Sequence, residues 1–177
     1  MSFFMNIVLI GYRGTGKSTI ATLVGQQLGW DVTSTDEEIV RRAKRTIPEI
    51  VEKFGWDHFR DLETAVCQSF IDKDHIVIDT GGGAILREKN ANHLKSNGIV
   101  FWLTASVDTI IQRIGQDTQR PSLTGQKTFT EEVEDVLRER TPRYAAAADH
   151  VLPTDHDVPA TLADIIVQRA GCSPQTS

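Results

Sequence analysis

The sequence predicts an α/β sandwich of three layers: a central, mostly parallel, five-stranded sheet with helices on both faces. Three observations carry that expectation. Short apolar runs alternate with helical periodicity along nearly the whole chain, and such alternation gives a parallel sheet covered on both sides. Residues 11–18 read Gly-Tyr-Arg-Gly-Thr-Gly-Lys-Ser, the phosphate-binding loop (P-loop) pattern G-x-x-x-x-G-K-[ST]. That loop lies between an apolar run and an amphipathic run, the strand–loop–helix context the pattern requires.

Residues 5–10, Met-Asn-Ile-Val-Leu-Ile, form the first strand. After the loop, Ile20, Leu23, Val24 and Leu28 recur at helical spacing until Gly29, a C-terminal stop. Residues 31–34 make a short second strand, followed by a helix over 36–43. Ile47, Ile50, Val51 and Phe54 mark an amphipathic helix, with Pro48 in its first turn where proline is tolerated. The next helix, over 56–71, buries Phe59, Leu62, Val66 and Phe70. Ile76-Val77-Ile78 is a third, fully buried strand, broken by Gly81-Gly82-Gly83. A helix over 86–96, a strand over 99–103 and a helix lined by Val107, Ile110, Ile111 and Ile114 follow.

Over 115–127 the periodicity fails. The stretch is polar, contains glycine and Arg120-Pro121, and reads as a mobile lid. Thr128 and Glu131 make a capping box for a helix that keeps Val133, Val136 and Leu137 on one side. Pro142 is expected to kink or end that helix. A strand over 150–152, a helix over 159–169 and a frayed tail over 171–177 complete a single domain spanning 1–177. No internal repeat or low-complexity segment interrupts it.

Composition narrows the function classes. A chain of 177 residues is long enough for one full hydrophobic core. The formal charge of −5 argues against a nucleic-acid partner. Cys67 and Cys172 make neither a disulfide framework nor a metal-ligand spacing, and the five histidines are scattered. No apolar run approaches a membrane span, and the first ten residues carry no basic n-region or cleavage-site pattern. The expectation is a cytoplasmic monomer acting on small molecules.

The P-loop implies a nucleoside triphosphate. Its glycines, including Gly14 and Gly16, let backbone N–H groups converge on phosphate oxygens, and the helix N-terminus adds positive potential. Thr15 and Thr19 flank the same turn. Lys17 is placed to reach the β- and γ-phosphates, and the Ser18 hydroxyl to ligate Mg²⁺. In a sheet of this class the ligand crevice lies at the carboxyl ends of the strands.

Several separated motifs converge on those strand ends. They are Gly14-Thr15-Gly16-Lys17-Ser18-Thr19, Asp36 after the second strand, and Phe54-Gly55-Trp56-Asp57-His58-Phe59-Arg60-Asp61-Leu62-Glu63. Thr80-Gly81-Gly82-Gly83, Arg120-Pro121-Ser122-Leu123 and Glu139-Arg140-Thr141-Pro142-Arg143-Tyr144 complete the set. In this order and spacing the chain resembles the shikimate kinases over about residues 6–169. The resemblance implies transfer of the γ-phosphoryl of ATP to the 3-hydroxyl of shikimate, with Mg²⁺, on the route to chorismate and aromatic amino acids.

The resemblance also assigns roles. Arg60 and Arg140 are implied to grip the acceptor carboxylate with guanidinium forks, an arrangement that suits a planar anion. Asp36 is implied to bind the acceptor hydroxyls and orient or deprotonate the attacking one. Gly82 is implied to offer its backbone N–H at close approach. Arg120 would close over ATP with the lid and neutralise charge on the transferring group. Arg113 is implied to stack on adenine, opposite the segment near Pro159. Plainer readings stand beside these: a surface ion pair between Arg60 and Glu63, a solvated helix face for Arg140, and a helix N-cap for Asp36. Arg143 competes with Arg140 for the second fork.

One departure stands out. The family commonly carries Asp-x-Asp at the end of the second strand, whereas this chain reads Ser34-Thr35-Asp36. Asp79, directly after Ile76-Val77-Ile78, occupies a Walker-B position and is expected to take over the lost role at Mg²⁺ through water. Its alternative is a cap on the glycine turn. A gluconate or nucleoside monophosphate kinase, or an ATP-binding regulatory protein without turnover, are the competing functions.

Overall fold

A computed structural model describes residues 5–115 and 129–173. Its sheet has five strands in the order β2-β3-β1-β4-β5. They are β1 (Asn6–Ile10), β2 (Asp31–Ser34), β3 (Ile76–Asp79), β4 (Gly98–Thr104) and β5 (His150–Pro153). Every neighbouring pair is parallel, so the sheet is wholly rather than mostly parallel among the described residues.

β1 sits at the centre and is buried throughout. Its side chains alternate between the two faces. Ile7 and Leu9 enter a layer with α1 (Lys17–Leu28) and α7 (Pro159–Arg169). Val8 and Ile10 enter the opposite layer with α2 (Thr35–Ala43), α3 (Ile47–Gln68), α4 (Glu88–Ser96) and α6 (Phe129–Ala147). A smaller cluster packs Tyr12 of the P-loop against Ile110 of α5 (Val107–Ile114) and against Val133 and Val136 of α6. Burying each such side chain contributes about 1.5–3 kcal/mol. All the strands point the same way, so their carboxyl ends share one edge, where the P-loop follows β1 and the glycine turn follows β3.

Three local expectations are corrected. The helix read from 36 begins at Thr35, and its N-cap is Ser34, whose hydroxyl accepts from the Glu37 N–H at 3.3 Å. Asp36 therefore lies inside the first turn and is not the cap. The helix read over 86–96 is a 3₁₀ turn, Ala84–Leu86, followed by α4 from Glu88. Asn90, fully buried, donates to the Ala84 carbonyl at 2.9 Å and ties the two together. Pro142 does not end α6, which continues to Ala147. The ring removes the N–H that would bond the Arg138 carbonyl, but both residues are exposed, so that oxygen is open to solvent. The two helices read on either side of Gly55 are present: α3 joins two helical segments across a kink, where Gly55 has a non-helical φ of 83°. The expected lid at 115–127 (save Gly115), the cap at Thr128 and most of the tail lie outside the described residues.

Candidate active site

The P-loop owes its shape to left-handed glycines. Gly14 and Gly16 have φ of 78° and 88°, conformations costly for any residue with a Cβ. The Tyr12 carbonyl is the hub inside the loop. It accepts from the Thr15 hydroxyl at 2.7 Å and from the Lys17 ammonium at 3.0 Å. No side chain caps the first turn of α1, so its N–H groups face the loop as an anion site.

Beside the loop, the Ser18 hydroxyl donates to the Asp79 carboxylate at 2.5 Å. Burial pushes the Asp79 carboxyl above its ordinary range, while the Ser18 hydrogen bond and Lys17 pull the other way. Asp79 ends β3, and its register partner on β2 is Ser34. Ser34, where the resemblance implies an acid, and Asp79 thus occupy adjacent strand ends. A hydroxyl and a carboxylate at the mouth of a phosphate loop are hard oxygen donors suited to Mg²⁺, which usually takes one or two protein oxygens plus phosphate and water. No cluster of three or more His, Cys, Asp or Glu suited to a metal occurs among the described residues.

The glycine turn is held from below. Thr80 bonds the Leu9 carbonyl through both its hydroxyl (2.9 Å) and its N–H (3.2 Å). The buried Thr35 hydroxyl accepts from the Gly81 N–H at 2.8 Å. Each of the three glycines faces one predicted acceptor residue: Gly81 meets the Asp36 carboxylate, Gly82 the Arg140 guanidinium and Gly83 the Arg60 guanidinium. A Cβ at Gly81 or Gly83 would collide with those groups, whereas at Gly82 it would stand 3.5–3.6 Å from its neighbours, ordinary contact. The need for a missing side chain in the free protein therefore falls on Gly81 and Gly83, not on Gly82.

Arg60 does pair with Glu63, as the plainer reading held, but not at the surface. Their 2.7 Å contact leaves the Glu63 side chain 1% exposed and that of Arg60 15%. Arg60 also lies over the rings of Phe59 and Trp56, at 5.1 and 5.6 Å. Burial raises the Glu63 carboxyl above its ordinary range despite Arg60, and one of its oxygens has no hydrogen-bond partner. On α6, Arg140 donates to the Gly82 carbonyl at 3.1 Å. Arg143, its competitor, points away to the Leu86 carbonyl.

Arg113 bridges the P-loop and β5. It donates to the Gly14 carbonyl at 3.1 Å, and to the Thr154 hydroxyl and carbonyl at 3.0 and 2.7 Å. A cleft of about 840 Å³ runs between these parts, walled by the P-loop, Asp36, Asp79, Gly82 and Arg113. Arg60 and Arg140 stand behind the glycine turn rather than in that wall. Arg120 lies outside the described residues. Sequence reasoning missed Thr35 and Tyr144, and it took Glu63 only as a surface partner. The i, i+3 spacing of Arg60 and Glu63 was the available signal for a buried pair.

A family model described as shikimate kinase matches residues 13–170. The chain belongs to the shikimate kinase family. A shikimate kinase of Nitratidesulfovibrio vulgaris is 40% identical over 162 residues, covering 90% of this chain and 92% of that one. Another, of Thermodesulfovibrio yellowstonii, is 39% identical over 163 residues, covering 92% and 93%. The structure of the Acinetobacter baumannii shikimate kinase in complex with shikimate superposes with a TM-score of 0.86 at 36% identity, covering 93% of this chain and 91% of that one. The span matched by the shikimate kinase model contains the P-loop from Arg13 onward, the glycine turn, Arg60 and Arg140.

Proposed function

We propose that this chain transfers the γ-phosphoryl of ATP to the 3-hydroxyl of shikimate, using Mg²⁺, in the synthesis of chorismate and aromatic amino acids. The observation that carries the reading is the glycine turn, whose three residues back onto Asp36, Arg140 and Arg60 in succession. An anion-binding loop thus meets a cup with two guanidinium groups and one carboxylate. Such a cup fits a small polyhydroxy acid: the cations hold its carboxylate, and the acid side chain takes its hydroxyls.

In this reading Lys17 and the backbone of Gly14, Thr15, Gly16 and Thr19 hold the phosphates. Ser18 would hold Mg²⁺ directly and Asp79 through water, and the ion would supply charge neutralisation at the phosphates. Asp36 orients the attacking hydroxyl and accepts its proton as the new O–P bond forms and ADP departs. Gly82 contributes its N–H to the acceptor, and Arg113 flanks the adenine. Arg120 is read as the cation that arrives on closure, limiting wasteful hydrolysis. The enzyme is read as a single domain and a cytoplasmic monomer. Among the described residues no helix is long and apolar enough to cross a membrane.

A coupled ADP-release assay with ATP, Mg²⁺ and shikimate tests the proposal. Turnover with shikimate and not with gluconate is the expected result. ATP binding without turnover on either acceptor would overturn it.

A further inference from the structure

Tyr144 plays no part in the scheme above, yet it is tied to the centre of the site. It lies on α6 one turn beyond Arg140, so both side chains leave the same face. Both end on one atom: Arg140 donates to the Gly82 carbonyl at 3.1 Å, and the Tyr144 hydroxyl donates to that same oxygen. A carbonyl has two acceptor sites, and these two donors fill both. The phenol is 1% exposed, and its ring stacks on Trp102 of β4 with centroids 5.6 Å apart at 23°. Burial pushes its hydroxyl up to about 12, so it remains a donor at any physiological pH.

We propose that Tyr144 is a positioning residue of the acceptor subsite. With Arg140 it locks the Gly82 carbonyl, and so fixes where the glycine turn stands relative to Asp36, Arg60 and the Arg140 fork. Three consecutive glycines have no conformational preference of their own to hold this shape. The other ties come from Thr35 and Thr80 at the start of the turn and from the Ala84 and Leu86 N–H groups, which donate to the Gly81 and Gly83 carbonyls, and none of those reaches the Gly82 carbonyl. Trp102 sets the height of the ring, and the ring sets the height of the hydroxyl. This inference rests on the acceptor reading for its effect on substrate, but not for the lock itself.

Tyr144→Phe removes the hydroxyl and keeps the stacked ring. In the free protein, amide hydrogen exchange over residues 81–84 is expected to accelerate about fivefold, the loss of one net hydrogen bond. Shikimate dissociation constant and KM are expected to rise by a similar factor, with ADP affinity within twofold and the melting temperature lower by about 2–4 °C, the equivalent of that one hydrogen bond. Installing 4-aminophenylalanine at position 144 restores a donor and should return both readouts to the wild-type values. It also answers for a Phe variant that fails to fold. Unchanged exchange at the turn in Tyr144→Phe, or no recovery with the amino analogue, overturns the proposal. Failure of the wild-type protein to bind shikimate overturns the acceptor reading instead, while the exchange rates still decide the lock.

Discussion

The Ser18 hydroxyl and the Asp79 carboxylate lie 2.5 Å apart although 61 residues separate them in sequence. β1 and β3 are neighbours in the sheet, so the helix after one and the end of the other meet at the same edge. Asp79 in turn pairs in register with Ser34, where the family commonly has an acid. We predict that Asp79→Asn weakens Mn²⁺ binding to the ADP complex about tenfold, as loss of an outer-sphere partner does. Electron paramagnetic resonance reads this without turnover. Adding Ser34→Asp to that variant returns the carboxylate one strand over and should regain most of the affinity. Unaltered Mn²⁺ binding in Asp79→Asn would leave this acid only as a cap on the glycine turn.

The Arg60–Glu63 pair makes a second prediction. Glu63 is fully buried and depends on Arg60 for its counter-charge. Arg60→Ala leaves a buried carboxylate uncompensated, a loss of about 3 kcal/mol. Removing Glu63 as well should recover much of that stability without recovering acceptor binding. The pH dependence has a definite sign. The folded Glu63 value lies above its ordinary range, so its ionisation costs stability as pH rises through the window between the two values. Without Arg60 the window extends upward, so the deficit of Arg60→Ala is smaller at pH 5 than at pH 8. Melting curves at both pH values check this; a deficit that grows on acidification rejects it.

The glycine turn separates steric need from substrate contact. Gly81→Ala drives a methyl into Asp36, and Gly83→Ala drives one into Arg60. Both should lower the melting temperature by several degrees, the equivalent of about 1–3 kcal/mol of overpacking, and raise the acceptor KM at least tenfold. Gly82→Ala meets only ordinary contacts in the free protein. It should melt within about two degrees of wild type, since no neighbour has to yield. If the acceptor packs against its backbone, its KM for shikimate rises all the same. A Gly82→Ala variant with wild-type KM would remove Gly82 from the acceptor subsite.

These particulars mark what the residues alone could reveal. The P-loop, the five strands and the helix faces were legible because each is a local pattern: glycine spacing, apolar runs and 3.6-residue periodicity. The break at Gly55 was legible for the same reason. Contacts between distant segments were not. Nothing near position 35 announces that Thr35 will hold Gly81, and nothing near 144 shows a tyrosine bonded to Gly82 across 62 residues. Pro142 misled because propensity is local, whereas the buried Tyr144 and Ala147 beyond it anchor the helix to the core. The plainer alternative for Asp36, a helix cap, fails because Ser34, one of three adjacent capping residue types, takes that place.

The loop after β5 offers the last test, since through Thr154 it holds Arg113 against the P-loop. The Asp155 carboxylate accepts from the Ser106 N–H and the Thr109 hydroxyl, each at 2.8 Å, at the start of α5. Those bonds, the backbone one foremost, hold its carboxyl down to about 2. A depressed folded value means the stabilisation is present above the ordinary carboxylate range and is lost as pH falls toward 2. The neighbouring Thr154 receives Arg113, which also grips Gly14 of the P-loop. Releasing Asp155 therefore loosens α5, Arg113 and the loop together. Asp155→Ala is expected to cost about 1 kcal/mol at pH 7, the scale of a lost helix cap, reduced by the open setting of the loop. Its deficit against wild type should shrink steadily between pH 5 and pH 2, and ADP affinity at pH 7 should fall several-fold while shikimate affinity holds. Equal losses for both ligands would mean that the damage spreads through the whole fold instead of staying on the side that Arg113 buttresses.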